Sequence, residues 1–206
     1  YLGDTSTKIK QVKKNQGVLS ISDVYELEKL GHIGPKLELI SSTASGTGAS
    51  LEITNIKESE YSMHLLHIED YLPQNNNRHL YLRMMVSGTA DTDTDYEYAL
   101  QRQSASTGTE NKSTGIEYII LAAGIANNSD RGLNGYIRIY NAGDSSVFTS
   151  TTSAFTHFNK DGNARSNFCS GFYRKNAVVD GFHFLTSSSD NHATGTFTLY
   201  GVKDLG

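Results

Sequence analysis

Three carboxylates stand at alternate positions in the stretch SGTADTDTDYEYAL. Asp91, Asp93 and Asp95 could together offer oxygen ligands to a hard cation such as Ca²⁺. An EF-hand loop that began at Asp91 would need Gly at its sixth position and Glu at its twelfth, but these positions hold Tyr96 and Arg102. We therefore predict a solvated turn at the tip of a hairpin, without a metal, because Asp and Thr are common turn residues.

A second set of residues imitates a hydrolase. Residues 143–145 read GDS and residues 180–183 read DGFH, as in the Gly-Asp-Ser and Asp-x-x-His blocks of the SGNH esterases. In such a site Ser145 would be the nucleophile, His183 the base and Asp180 the acid that orients it. Those enzymes are α/β proteins, whereas only strand-like sequence separates the two blocks here, and no G-x-S-x-G elbow is present. We therefore predict no catalytic residue and no enzymatic activity.

The seven histidines do not form a metal-binding pattern. His64 and His67 are three residues apart in a predicted strand, so their side chains should point to opposite faces and should not chelate one ion. No H-x-H or H-E-x-x-H spacing occurs, and neither a P-loop nor a strand-linked G-x-G-x-x-G precedes a helix. The sequence therefore predicts neither a metal nor a cofactor.

Composition narrows the class of protein that must position these residues. The chain has 206 residues, with 19 Gly, 12 Tyr and 8 Phe but only 2 Pro, which favours strands separated by polar turns. Its net charge of −4 offers no general attraction to nucleic acid. No apolar run approaches the roughly 18 residues of a membrane span, so membrane insertion is not expected. The single Cys169 cannot form an internal disulfide and is predicted to be a small buried side chain.

From residue 36 onward the chain alternates between apolar segments and turns such as PQNNNR and SASTGTENKSTG. About ten strands with short connections predict an all-β, two-sheet sandwich of jelly-roll type over residues 36–206. Alternation predicts that Ile137 and Ile139 face the core while Tyr136, Arg138 and Tyr140 face outward. The same alternation predicts one further core row: Leu80, Leu82, Met84 and Val86.

Residues 1–35 are predicted to form an N-terminal arm and one short helix that together act as an assembly element. Ser20 and Asp23 fit a capping pattern and Gly31 stands at a stop position, so the helix should run from about residue 21 to residue 30. Four lysines could meet an acidic neighbour, and an apolar stripe on the helix could lie against the sandwich or a partner. The predicted assembly contacts are Lys8, Lys10, Lys13, Lys14, Val24, Leu27 and Leu30.

The order of the segments carries one family resemblance. GVLSISDVYELEKLG leads into LELISS, LEITNI precedes YSMHLLHIEDYLP, HLYLRMMVSG is followed by a polar loop and DYEYAL, and GTFTLYGVK closes the series. This order resembles the virion structural proteins of tailed bacteriophages, of the minor structural, tail-fibre or decoration type. The resemblance implies a noncatalytic homo-oligomeric component of the virion, with other virion structural proteins as partners, that is assembled in the cytoplasm of the bacterial host.

One alternative from a different functional class stays open. The chain could be a receptor-binding or carbohydrate-binding module, displayed on a particle or a cell surface, whose ligand is a host glycan. Tyrosine suits such a surface because its ring stacks while its hydroxyl forms hydrogen bonds. The tyrosines that could serve in this way are Tyr61, Tyr71, Tyr81, Tyr96, Tyr98, Tyr118, Tyr136 and Tyr140.

Overall fold

The computed structural model describes Tyr25 and residues 37–202. Residues 37–202 contain thirteen β-strands and one 3-10 turn, Ser187–Ser189. In chain order the strands are β1 Leu37–Ala44, β2 Ser50–Thr54, β3 Met63–Pro73, β4 Arg78–Val86, β5 Thr89–Ala90, β6 Tyr96–Ser104, β7 Gly108–Ile116, β8 Ile119–Ile125, β9 Leu133–Tyr140, β10 Thr149–Phe158, β11 Ala164–Tyr173, β12 Gly181–Thr186 and β13 His192–Val202.

Two antiparallel sheets pack against each other and confirm the predicted all-β sandwich. The larger sheet has eight strands in the order β1-β13-β3-β9-β10-β11-β6-β7. The smaller sheet has five strands, with β2, β12, β4 and β5 in order and β8 also paired with β4. Each sheet therefore has one face toward the common core and one face away from it.

The strand pairing is nested, so that strands early in the chain pair with strands late in the chain. β1 pairs with β13, β2 with β12, β3 with β9 and β4 with β8, all antiparallel. Two insertions interrupt this series: β5, β6 and β7 lie between β4 and β8, and β10 and β11 lie between β9 and β12. Four of these inserted strands extend the eight-stranded sheet beyond β9.

The core lies between the two sheets and follows the predicted alternation. Leu80, Leu82 and Met84 on β4 are fully buried, and Val86 is half-buried against them. Ile137 and Ile139 on β9 are also fully buried, and the residues that alternate with them point away from the core. The predictions for both rows, and for a buried Cys169, are confirmed.

The aspartate-rich segment connects the two sheets, so the predicted hairpin tip is wrong. The hairpin between β4 and β5 turns earlier, at Ser87 and Gly88, whose φ angles of 53° and 73° are those of a type I′ turn. β5 ends at Ala90, and the chain then crosses from the five-stranded sheet to β6 of the eight-stranded sheet. Asp91 to Asp95 form this crossover.

Two long strands, β7 and β10, were not predicted from the sequence. The segment predicted as the turn SASTGTENKSTG contains most of β7, and no strand was predicted for β10. Both are rich in Ser and Thr, so neither shows the apolar alternation that marks a strand.

Of the predicted N-terminal helix only Tyr25 is described, with helical backbone. The rest of that helix, the arm and the domain boundary near residue 35 lie outside the described residues.

Candidate functional site

The crossover between the sheets is organised around one aspartate. The Asp91 carboxylate accepts hydrogen bonds from the Tyr173 hydroxyl, from Lys175 Nζ at 2.8 Å and from the Asp93 backbone N–H at 2.8 Å. The Asp91 side chain is 7% exposed, whereas the Asp93 side chain is 66% exposed. The Tyr96 hydroxyl donates to the Asp91 carbonyl oxygen at 3.0 Å. The prediction of a solvated turn is therefore wrong at Asp91, which holds β6 and β11 to the crossover.

Electrostatics explain why Asp91 can be buried while ionised. Burial disfavours the charged carboxylate, but the hydrogen bonds from Lys175 and Tyr173 outweigh this effect and hold the pKa of Asp91 below its ordinary value. Lys175 Nζ also lies 3.0 Å from Asp93 Oδ2, so one ammonium group occupies the space between the two carboxylates. Among the described residues no group of three or more His, Cys, Asp or Glu could hold a metal ion. The absence of a metal at this loop stays a prediction.

The residues that imitate an esterase do not form a hydrogen-bonded triad. The backbone brings the two blocks near each other, since Val179 N–H donates to the Ala142 carbonyl at 2.8 Å. Asp180 Oδ2, however, accepts from the Gly88 N–H at 2.8 Å. Within residues 37–202 no hydrogen bond joins the exposed Ser145 to the half-buried His183, which alternates with core residues on β12. Catalytic inactivity stays a prediction.

Buried histidines serve as hydrogen-bonding groups of the core. His157 Nε2 accepts from Asn167 Nδ2 at 2.7 Å, and its Nδ1 lies 2.9 Å from the Phe158 carbonyl. Burial lowers the pKa of His157 to about 4, which keeps the ring neutral. On β3 the ring of His64 is buried and that of His67 is half-exposed, so the prediction that they face opposite sides is confirmed.

The outward face of the eight-stranded sheet carries an apolar patch that crosses four strands. The register places Leu37, Val202, Met63 and Tyr140 side by side in one row, and Leu39, Tyr200 and Leu65 in the next row. Leu39 is 64% exposed and Leu37 is 40% exposed. The outward faces of surface sheets are usually polar, so this surface departs from the pattern. We call it the apolar face: Leu37, Leu39, Met63, Leu65, Tyr140, Tyr200 and Val202.

A groove lies on the same outward face, across β10, β11, β6 and β7. Two adjoining hollows of about 620 Å³ and 600 Å³ share Ala99, Lys112 and Ser170. Phe168 and Phe172 line one hollow each, and both rings are about half-exposed. Their four-residue separation places them about 13 Å apart along β11. We call this surface the phenylalanine groove; the small side chains of Ala99 and Ser170 line both hollows.

A third hollow, of about 780 Å³, lies toward the other end of these strands. Its lining includes Asp70, Asp130, Arg131 and Arg165. The Arg131 guanidinium lies 5.6 Å from the centroid of the Phe158 ring, as in a cation–π contact. Two acidic and two basic side chains balance each other, so this hollow shows no preference for a charged ligand.

The tyrosines predicted as a binding surface are divided by the fold. Tyr61, Tyr71, Tyr96 and Tyr98 are buried, so they do not form an exposed platform. Tyr81 and Tyr118 stack on each other with ring centroids 4.0 Å apart. The remaining two, Tyr136 and Tyr140, lie on the outward face.

Sequence reasoning missed the exposed apolar residues that distinguish the outward face. Phe168 and Phe172 occur in FCSGFY, where Cys169 and Tyr173 on the opposite face are buried. A strand with large apolar side chains on both faces is a signal that each face meets another surface. That signal was available in the sequence of β11.

The assembly contacts that were predicted from the sequence lie outside the described residues: Lys8, Lys10, Lys13, Lys14, Val24, Leu27 and Leu30.

Comparisons with protein-family models, with curated proteins and with solved structures find no significant match. Among the described residues there is no helix with the length and apolar character that a membrane crossing requires. The surfaces of the sandwich are therefore the features from which a function can be inferred.

Proposed function

We propose that this chain is a noncatalytic structural component of a bacteriophage virion, attached to neighbouring subunits through the apolar face. The observation that carries the proposal is a pair of neighbouring apolar rows, one across β1, β13, β3 and β9 and the other across β1, β13 and β3, next to Arg138 on β9. Contiguous exposed apolar surface of this kind marks a site of protein association, because association removes it from water. The partners are other virion structural proteins and further copies of the chain.

The fold supports this proposal in a second way. The nested pairing of β1 with β13, β2 with β12, β3 with β9 and β4 with β8 is the order of an eight-stranded ribbon folded into two sheets. We propose that the sandwich is a jelly roll with two insertions, an architecture that capsid domains use. Together with the resemblance in segment order, this supports a place in the virion, assembled in the cytoplasm of a bacterial host.

Incorporation into particles tests the proposal. Leu39→Glu places a charge on the apolar face at a largely exposed position, so the sandwich should fold while its contact with a neighbour is lost. Ser42→Glu is the matched control, because Ser42 is exposed on the same strand outside the patch. Mass spectrometry of purified phage particles should find the parent chain and the control, and a several-fold lower content of the Leu39→Glu chain. A chain absent from particles, or equal incorporation of all three, would contradict the proposal.

A second candidate function is favoured by the phenylalanine groove. Two exposed aromatic rings in a groove that also carries polar side chains suit a glycan, whose apolar ring faces stack while its hydroxyls form hydrogen bonds. Gln101, Glu110 and Lys112 line the groove and supply polar groups. The chain would then be a carbohydrate-binding module that recognises a host surface glycan.

A glycan array followed by calorimetry on the purified chain tests this second candidate. Phe168→Ala and Phe172→Ala should each weaken binding of a recognised glycan by about tenfold or more, since each removes one stacking ring. Phe148→Ala is the control, because Phe148 is 42% exposed but does not line the groove. If no glycan binds the chain saturably, or if all three substitutions weaken binding equally, glycan binding at the groove is excluded.

A further inference from the structure

The last strand of the eight-stranded sheet has an open edge. β7 pairs with β6 on one side, and no other strand of the described chain pairs with its second side. Most of its nine residues are exposed, including Thr109, Glu110, Lys112 and Thr114. Its register with β6 is continuous from Thr114 to Gly108, without a bulge or a proline in that stretch. An edge of this length and regularity can hydrogen-bond to a further strand.

Charge on this edge selects one partner. Glu110 and Lys112 are separated by one residue and therefore lie on the same face of β7. Their partners on β6, Gln101 and Ala99, lie on the outward face, so both charges point outward. If a second β7 runs antiparallel with Asn111 opposite Asn111, each Glu110 stands opposite Lys112 of the other copy. Opposite charges at directly facing positions stabilise an antiparallel pair.

Other registers of the same two strands lose this match. Antiparallel pairing centred on Glu110 or on Lys112 would place that residue opposite its own copy, and like charges at facing positions destabilise a pair. A single charged residue on an edge usually prevents association. The alternation of Glu110 and Lys112 therefore disfavours these two registers, and it favours the register centred on Asn111, which pairs both charges with opposite ones.

We infer that β7 pairs antiparallel with β7 of a second copy of this chain, about a twofold axis at Asn111, so that two eight-stranded sheets become one continuous sheet of sixteen strands. The surface is self-complementary, as an interface with twofold symmetry requires. The axis is perpendicular to the sheet, so both copies present their outward faces on the same side. The inference goes beyond the proposed virion role and does not depend on it, because it uses neither the apolar face nor any other virion protein.

A cysteine at the twofold axis tests the register directly. In this pairing the two Asn111 Cα atoms are about 4.5 to 5.5 Å apart, within the range that a disulfide spans. The full chain with Asn111→Cys should therefore form a disulfide-linked dimer under mild oxidation. Thr109→Cys is the matched control, since the two Thr109 positions are about 14 Å apart and cannot be bridged. Burial raises the pKa of the native Cys169 thiol to about 12, so this thiol should not interfere.

Charge reversal tests the pairing without a cross-link. Glu110→Lys or Lys112→Glu alone should raise the dissociation constant of the dimer by about tenfold or more, as measured by sedimentation velocity at low ionic strength. The double variant Glu110→Lys/Lys112→Glu restores both pairs and should return the constant to within a few-fold of the parent value. Circular dichroism should show a folded sandwich for all three, because both side chains are exposed.

Several outcomes would overturn the inference. A parent chain that stays monomeric across the micromolar range would do so, as would a dimer that neither single reversal weakens. Cross-linking of Thr109→Cys but not of Asn111→Cys would refute the register. A dimer that is lost on Leu39→Glu but unaffected by Lys112→Glu would assign association to the apolar face and exclude pairing through β7.

Discussion

Two aspartates in one short crossover differ sharply in what their side chains contact. Asp91 accepts from the Tyr173 hydroxyl, and Tyr173 is fully buried, so its hydroxyl has no access to water as a replacement partner. Leaving a buried polar group without a partner costs about 1 to 3 kcal/mol. Asp93 instead shares the exposed Lys175 ammonium and points into solvent.

We therefore expect Asp91→Ala to lower the free energy of unfolding by about 1 to 3 kcal/mol in urea denaturation. Asp93→Ala is the matched control and should cause a much smaller loss, because its ion pair is screened by water. Tyr173→Phe, which removes the orphaned hydroxyl, should recover part of the loss when it is combined with Asp91→Ala. Equal losses for the two aspartate variants would show that Asp91 does not organise the crossover.

The sequence could not distinguish these two residues. Tyr173 and Lys175 lie about eighty positions after Asp91, and no local pattern connects them to it. Turn propensity correctly placed a connection at Asp91 to Asp95, since Asp93 N–H bonds back to Asp91 Oδ1 as an Asp-led turn does. Turn propensity could not predict that the fold brings the end of β11, with Tyr173, next to the crossover.

At the scale of elements, the alternation of apolar and polar residues predicted the strands whose core-facing side chains are apolar. It failed for strands that have no row of apolar side chains. In the first half of β10 the buried residues are Thr149, Thr151 and Ser153, and the residues between them, Ser150 and Thr152, are also polar. The sequence therefore shows no alternation between apolar and polar residues there. Small side chains are needed there because β8, which is buried along its whole length, packs against this part of the sheet. β7 was missed for a different reason: both of its faces are largely exposed, so no apolar row forms.

Gly171 lies where the side chain of Ile119 on β8 packs closely against β11. A Cβ atom at this position would lie 2.7 Å from Ile119 Cδ1 and 2.9 Å from Thr151 Oγ1, which is closer than van der Waals contact permits. We expect Gly171→Val to lower the free energy of unfolding by about 1 to 3 kcal/mol in chemical denaturation, because the side chains of Ile119 on β8 and Thr151 on β10 must move to make room. Ser170→Val is the matched control, since the neighbouring side chain points to the outward face. If the control destabilised the chain as much, the added bulk of valine on β11 in general, and not the contact with β8, would be the cause.

At the scale of the whole molecule, buried neutral histidines link stability to pH. Burial lowers the pKa of His64, His79, His157, His183 and His192, which lie on strands of both sheets. Burial lowers the pKa of His157 from an ordinary 6.5 to about 4; the hydrogen bond with the Phe158 carbonyl opposes this effect and the positive charge of Arg165 adds to it. A sequence shows seven histidines but not which of them the sandwich encloses, so this property depends on the fold.

The direction of the pH dependence follows from proton binding. Between pH 6.5 and about 4 the unfolded chain binds a proton at His157 that the folded chain does not bind, so acid favours unfolding. The stabilisation is complete above pH 6.5 and is lost as the pH falls toward 4, with a contribution from His157 of at most about 3 kcal/mol. Carboxyl groups with lowered pKa, such as Asp91 and Asp190, act in a separate window below their ordinary value of 3.8.

We therefore expect the melting temperature to fall steadily between pH 7 and pH 4.5 when calorimetry is performed at constant ionic strength. His157→Gln should reduce this slope, because a Gln side-chain oxygen can accept from Asn167 Nδ2 without binding a proton. Thr156→Gln, on the outward face of the same strand, should keep the parent slope. The prediction would be contradicted if the melting temperature stayed constant over this pH range. It would also be contradicted if the His157→Gln variant showed the same slope as the parent chain, because His157 would then not cause the pH dependence of stability.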